Sequence, residues 1–212
     1  MRAASLGALV CIFAVACTPT TRRLDEAAIY QGPQFRLKLV RYFEDYPLHY
    51  KGEVFTVQCS SARTAKSPAS KTQDAGWVSV GNGGAIGSKS ASELAEREQH
   101  KYKAIDDQTL VWIGNGLNVS FDACGQFRGW YPTSLPDDLI DAQEKPEWCA
   151  PRGTADCRHY DFLGDREPRF DEIRVNRDGN VSFVVHSKAF RNQKAVSVQS
   201  MDFGRTWKAT QL

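Results

Sequence analysis

Ala195-Val196-Ser197-Val198-Gln199-Ser200-Met201-Asp202-Phe203-Gly204-Arg205-Thr206-Trp207-Lys208-Ala209-Thr210 holds two short alternating runs around one reversal. The runs Ala195 to Val198 and Thr206 to Thr210 read as half-buried strands, because side chains two apart share a face of a sheet. Between them, Ser200 and Asp202 carry oxygens that can bind backbone amides across the turn, and Gly204 permits a left-handed backbone. Trp207 then has a large apolar ring to bury as the second strand leaves. The end of the chain is therefore expected to be a hairpin, with Ser200, Asp202, Gly204, Thr206 and Trp207 in structural roles.

Working back from this hairpin, the same strand-and-turn grammar recurs. Ile173 to Val175 and Val181 to Val185 flank Asn176-Arg177-Asp178-Gly179-Asn180, and Thr109 to Ile113 and Leu117 to Phe121 flank Gly114-Asn115-Gly116; Asn and Gly tolerate the positive φ that tight reversals need. Phe35 to Val40, Val54 to Cys59 and Trp77 to Val80 add further strands. Ser90 and Glu93 have capping-box spacing ahead of Leu94-Ala95-Glu96-Arg97-Glu98. Ala91, Leu94, Tyr102 and Ile105 fall near one face of that surface helix. A second short helix is expected from Pro136 through Leu139 and Ile140 to Lys145, ended by Pro146. The fold class is mainly β, a β-sandwich or a partial-propeller-like set of antiparallel sheets, with one or two short surface helices.

The pattern Ser-x-Asp-x-Gly-x-Thr-Trp at 200–207 matches the Asp-box, a turn found in sialidases, other β-propellers and isolated β-rich domains. Ser120-Phe121-Asp122-Ala123-Cys124-Gly125 is a weaker echo, with its glycine displaced by one and its tryptophan late, at Trp130. A sialidase-type enzyme needs several boxes, an arginine triad and roughly six blades, more than this length supplies.

The N-terminus reads as an export signal, with Arg2 followed by an apolar run from Ala3 to Ala16. The run is shorter than the roughly 20 residues of a membrane span. Ala14-Val15-Ala16-Cys17 resembles a bacterial lipobox, although Ala14 departs from the preferred leucine. The resemblance implies cleavage of a signal peptide over residues 1–16, lipid on Cys17 and anchorage in the envelope. Thr18 is not aspartate, which by likeness to lipoprotein sorting rules points to the outer membrane, facing the periplasm. Residues 17–33 are then a flexible stalk, and 34–212 a single β-rich domain with an insertion at about 129–168.

Of the six cysteines, Cys11 leaves with the signal and Cys17 carries lipid, so Cys59, Cys124, Cys149 and Cys157 remain for two disulfides in an oxidising compartment. Three pairings are possible. The turn-rich loop between Cys149 and Cys157 favours joining those two, and Cys59 with Cys124 follows. No Cys-x-x-Cys pair occurs and the four histidines are scattered, so no metal and no cofactor are expected.

Lys+Arg 27 against Asp+Glu 25 leaves a net charge of +2, too little for a nucleic-acid footprint. The glycine-rich run 80–90 fails as a nucleotide loop, because Ser88 precedes Lys89 where a P-loop has glycine and Ile86 stands at the third glycine of a dinucleotide loop. No Gly-x-Ser-x-Gly elbow is present. Acid pairs such as Asp106-Asp107, Asp137-Asp138 and Glu44-Asp45 sit beside turns, where carboxylates cap backbone amides. The protein is not read as an enzyme.

Phe127, Arg128, Trp130 and Tyr131, with Arg158 and Tyr160 after the Cys149–Cys157 loop, are residue types that dominate protein interfaces. They are the candidate partner-binding residues; Glu44, Asp45 and Tyr46 near Tyr50 form a second, acidic candidate. The lipobox, the β-rich domain, the paired cysteines and the terminal Asp-box together resemble lipoprotein immunity proteins against type VI secretion lipase effectors. That resemblance implies a non-enzymatic inhibitor that docks on a cognate phospholipase effector. The alternative is an envelope lipoprotein that binds glycan or an envelope protein assembly.

Overall fold

The computed structural model describes residues 20–46, 50–66, 74–84, 90–114, 116–131, 135, 139, 168–187, 190 and 195–212. The chain divides into two compact units, Met1–His100 and Lys101–Leu212. The described residues form three four-stranded antiparallel sheets and one short helix, so the fold is mainly β.

In the first unit, β1 (Thr20–Gln31), β2 (Phe35–Tyr46), β3 (Tyr50–Ser61) and β4 (Trp77–Gly84) pair in sequence order. Phe35, Leu37 and Leu39 of β2 lie opposite Ser61, Cys59 and Val57 of β3 and are buried. Val40, Tyr42 and Gln58 are buried on the opposite face, where the Gln58 amide donates to the Tyr42 hydroxyl over 3.1 Å. Interior strands covered on both sides lose strict alternation for this reason.

Residues 20–31 correct the expected stalk, being an edge strand paired with β2 from Thr20 opposite Asp45 to Gln31 opposite Arg36, with register shifts between Arg23 and Asp25 and between Ala28 and Tyr30. A strand this polar is held by backbone pairing and by ions reached through the fold. Arg41 clamps Asp25 through two nitrogens at 2.7 and 3.1 Å and reaches Glu53 at 2.9 Å. Lys38 meets Glu26 at 2.9 Å and Asp74 at 2.6 Å. The hydrogen bond from Arg41 holds the Asp25 carboxyl below its ordinary range, and that from Lys38 does the same for Asp74.

The capping box forms as its spacing predicts: Ser90 Oγ accepts from the Glu93 amide, and the Glu93 carboxylate accepts from the Ser90 amide at 2.8 Å. Helix α1 is Ala91–Glu98, shorter than the apolar stripe through Tyr102 and Ile105 implied, because Tyr102 begins a strand. The Ala91 amide donates to Asp25 over 3.1 Å, which puts a carboxylate of β1 at the positive end of the helix.

The second unit contains two meanders. The first is β5 (Tyr102–Ala104), β6 (Leu110–Ile113), β7 (Leu117–Ser120) and β8 (Arg128–Trp130); the second is β9 (Arg169–Val175), β10 (Val181–His186), β11 (Val196–Ser200) and β12 (Lys208–Gln211). In β10 the alternation is strict, with Val181, Phe183 and Val185 buried and Ser182, Val184 and His186 partly exposed. Those three join Val196 and Val198 of β11 and Val111, Leu117, Val119 and Trp130 of the first meander in one core. Phe183 meets Trp130 edge to face at 5.4 Å and Trp207 at 5.8 Å. Phe183 and Trp130 are buried and Trp207 is partly buried against them; a fully buried apolar side chain of this size contributes roughly 1.5–3 kcal/mol.

Cys59 and Cys124 are disulfide-bonded and buried, as the pairing of the two requires. Cys149 and Cys157, most of the insertion at 129–168 and the expected helix from Pro136 to Lys145 lie outside the described residues, Leu135 and the lone Leu139 excepted.

Candidate functional site

Ser120 and Asp122 build the same turn as Ser200 and Asp202. Each serine hydroxyl donates to its aspartate at 2.9 Å and accepts at 3.0 Å from the amide four residues on, Cys124 in one turn and Gly204 in the other. Each aspartate Oδ1 accepts from the amide four residues after it, Gln126 and Thr206, at 2.9 Å. Two consecutive residues in each turn are left-handed, Ala123 and Cys124 at φ 53° and 65°, Phe203 and Gly204 at φ 60° and 75°. The echo at 120–125 thus folds into the same turn. Its left-handed position is filled by Cys124, not by the displaced Gly125, and Phe127 stands where the other box has Trp207.

Both boxes join the third strand of a meander to the fourth, so each shares an end of its sheet with the reversal between the first two strands. These four reversals meet. Arg177 of the β9–β10 turn pairs with Asp106 of the β5–β6 turn at 3.0 Å, and Asp106 also accepts the Gln108 and Thr109 amides at 2.8 Å. Arg128 donates to the Phe203 carbonyl over 3.2 Å, and the Phe203 amide donates to the Gly179 carbonyl over 3.0 Å. Phe121 meets Phe203 edge to face at 5.1 Å. Burial raises the Asp106 pKa, but the two amides and Arg177 outweigh it and leave the carboxyl below its ordinary range.

Asp202 is held at a pKa of about 2, chiefly by the Thr206 amide, then by the Thr206 hydroxyl at 2.7 Å and by Ser200. Its oxygens are engaged by donors within the turn. The two side chains between the motif's polar positions point outward: Met201 is 79% and Phe203 39% exposed. Exposed apolar side chains on a turn locked by this many hydrogen bonds present a backbone-ordered surface to a partner, since little backbone freedom remains to be lost. Holding Phe203 left-handed costs roughly 1–2 kcal/mol, which the hydrogen-bonded turn sustains.

Two cavities open beside Phe121 and Phe203. One, of 260 Å³, is lined by Val119, Asp122, Gln126, Arg128 and Arg205 as well as the two rings. The other, of 280 Å³, is lined by Asp106, Asp107, Gln108, Thr109 and Arg177 with the same rings.

The sequence-predicted binding residues separate. Arg128 belongs to the assembly of turns. Phe127 is half-buried beside it, and Tyr131 is 43% exposed with its hydroxyl 2.8 Å from Asn118 Oδ1. Trp130 corrects the expectation: at 2% exposure it is a core residue that a partner cannot reach, because the inward face of β8 needs an apolar group there. Arg158 and Tyr160 lie outside the described residues. In the acidic candidate, Asp45 pairs with Lys51 at 3.1 Å and Tyr46 is exposed. Met201, Phe203 and Arg205 were missed; the available signal was two apolar residues at the free positions of a turn motif. Among the described residues, no three His, Cys, Asp or Glu side chains converge as metal ligands. No protein-family model, curated protein or solved structure matches the chain.

Proposed function

We propose that the protein is a lipid-anchored envelope protein that neutralises an incoming type VI secretion phospholipase effector by binding it. Cys17 carries the anchor, and the body is a binding module without a reaction centre. The observation that carries the binding role is the exposed Phe203 and Met201 on a hydrogen-bond-locked turn flanked by Arg128 and Arg205, a composition typical of interface hot spots. Tethering supports inhibition physically, because confinement to the membrane on which a phospholipase acts raises the inhibitor's effective concentration there. The identification of the target as a lipase rests on the resemblance in layout.

The test is binding of the full-length lipidated protein to the phospholipase encoded beside its gene, with lipid hydrolysis followed on vesicles. Stoichiometric loss of hydrolysis supports the proposal. Undiminished hydrolysis with no complex overturns it, and retention of the protein on peptidoglycan in that case favours the glycan-binding alternative.

A further inference from the structure

We infer that the cavity between the two Asp-box turns receives an acidic side chain of a protein partner, with an adjacent apolar side chain laid against Phe203. This rests on the binding role proposed above, but not on the partner being a lipase.

The arginines on this side of the aromatic pair meet different groups from the arginine on the other side. Asp122 and Asp202 each accept a serine hydroxyl and the amide four residues on, so both carboxylates are engaged by their own turns. Arg128 gives its hydrogen bonds to neutral oxygens, the Phe203 carbonyl at 3.2 Å and the Gln126 side-chain oxygen at 3.2 Å. Arg205 is exposed, and its guanidinium makes no ion pair or hydrogen bond among the described residues. Two cations therefore border the cavity without an ion pair to a carboxylate among the described residues, and an arginine fork binds a carboxylate through two parallel bonds. On the other side of the rings Arg177 is already matched by Asp106 at 3.0 Å and lies 3.9 Å from Asp107, so the attraction for an acid is one-sided.

Size narrows the occupant. A volume of 260 Å³ falls just below the usual range for small-molecule sites, roughly 300–1,000 Å³. It has room for one or two side chains and is too small for an oligosaccharide or a lipid tail. Phe203 is pre-positioned as the apolar contact: Gly179 lies directly beneath its ring, where an added Cβ would stand 2.5 Å from it, and Phe121 supports its edge.

The test uses the isotopically labelled full-length lipoprotein in detergent, titrated with N-acetyl-Asp-Phe-amide and, separately, N-acetyl-Asn-Phe-amide. The Asp peptide is expected to shift the amides of Phe121, Arg128, Phe203 and Arg205 saturably, and to bind about tenfold more tightly than the Asn peptide, about 1.4 kcal/mol. Arg205→Glu, at an exposed side chain that makes no hydrogen bond or ion pair among the described residues, is expected to abolish the preference. Equal binding of the two peptides, saturable shifts elsewhere, or no saturable shift overturns the inference, as does a muropeptide that displaces the Asp peptide from these amides. If the neighbouring phospholipase binds the native protein and Arg205→Glu equally well, this surface is wrong and the lipase reading stands. If the peptide binds as expected and the phospholipase does not, the surface stands and the lipase reading falls.

Discussion

Cys124 and Gly204 occupy one position in two copies of the same turn, at φ 65° and 75°, and each donates its amide to a serine hydroxyl 3.0 Å away. The position is defined by the backbone, not by the residue type. Glycine fills it without strain, and a cysteine fills it where the surrounding hydrogen bonds hold the conformation.

Gly204→Ala is expected to cost about 1–2 kcal/mol from the left-handed backbone, with added crowding because the new Cβ would stand 3.2 Å from Arg128 and Trp207. Gly179→Ala should cost more, since its Cβ would strike the Phe203 ring. Urea denaturation of both variants checks this, and an unchanged midpoint for Gly204→Ala would show that the turn is not left-handed there.

Acid should weaken the second unit. The Asp202 pKa of about 2 lies below the unfolded value of 3.8, so the unfolded chain takes up the proton first. Its contribution is present above the unfolded value and is lost as pH falls toward 2. Asp202→Asn should flatten the fall in unfolding midpoint between about pH 4 and pH 2, and an identical slope in the two proteins would contradict the assignment.

The predicted surface patch divides energetically. Trp130→Ala should cost roughly 3–5 kcal/mol by leaving a cavity in the core. Tyr131→Phe should cost only about 1 kcal/mol, the value of its hydrogen bond to Asn118. Comparable losses at the two positions would refute the division.

Cys17→Ser should move the protein from the membrane to the soluble fraction and abolish incorporation of labelled palmitate. Unchanged fractionation and labelling would rule out the anchor.

Peptide mapping of an unreduced digest should join Cys59 to Cys124 and Cys149 to Cys157. Free thiols or crossed pairs would overturn the pairing.

The strands legible in the sequence were those whose alternation comes from one buried face, such as Val181, Phe183 and Val185, together with the hairpin around Gly179. The capping box of Ser90 and Glu93 was legible for a related reason: its partners lie three residues apart. β1 was not, because its face is polar and its stabilising partners are distant in the chain, with Asp25 answered by Arg41 and Arg23 by Asp74. The Asp-box at 120 was half legible. Its serine and aspartate could be read, but the left-handed residue was sought at a glycine and stands at Cys124.

Local chemistry alone determined that this chain makes antiparallel hairpins, where they turn, and which residues lock the terminal turn, since those bonds span only a few residues. Tertiary structure decided that Trp130 faces the core while Phe203 faces outward, and that four reversals far apart in sequence share one edge with Arg128 and Arg205 beside the aromatic pair. Whether a side chain is available to a partner depends on what packs behind it, and the neighbours that pack there come from other strands.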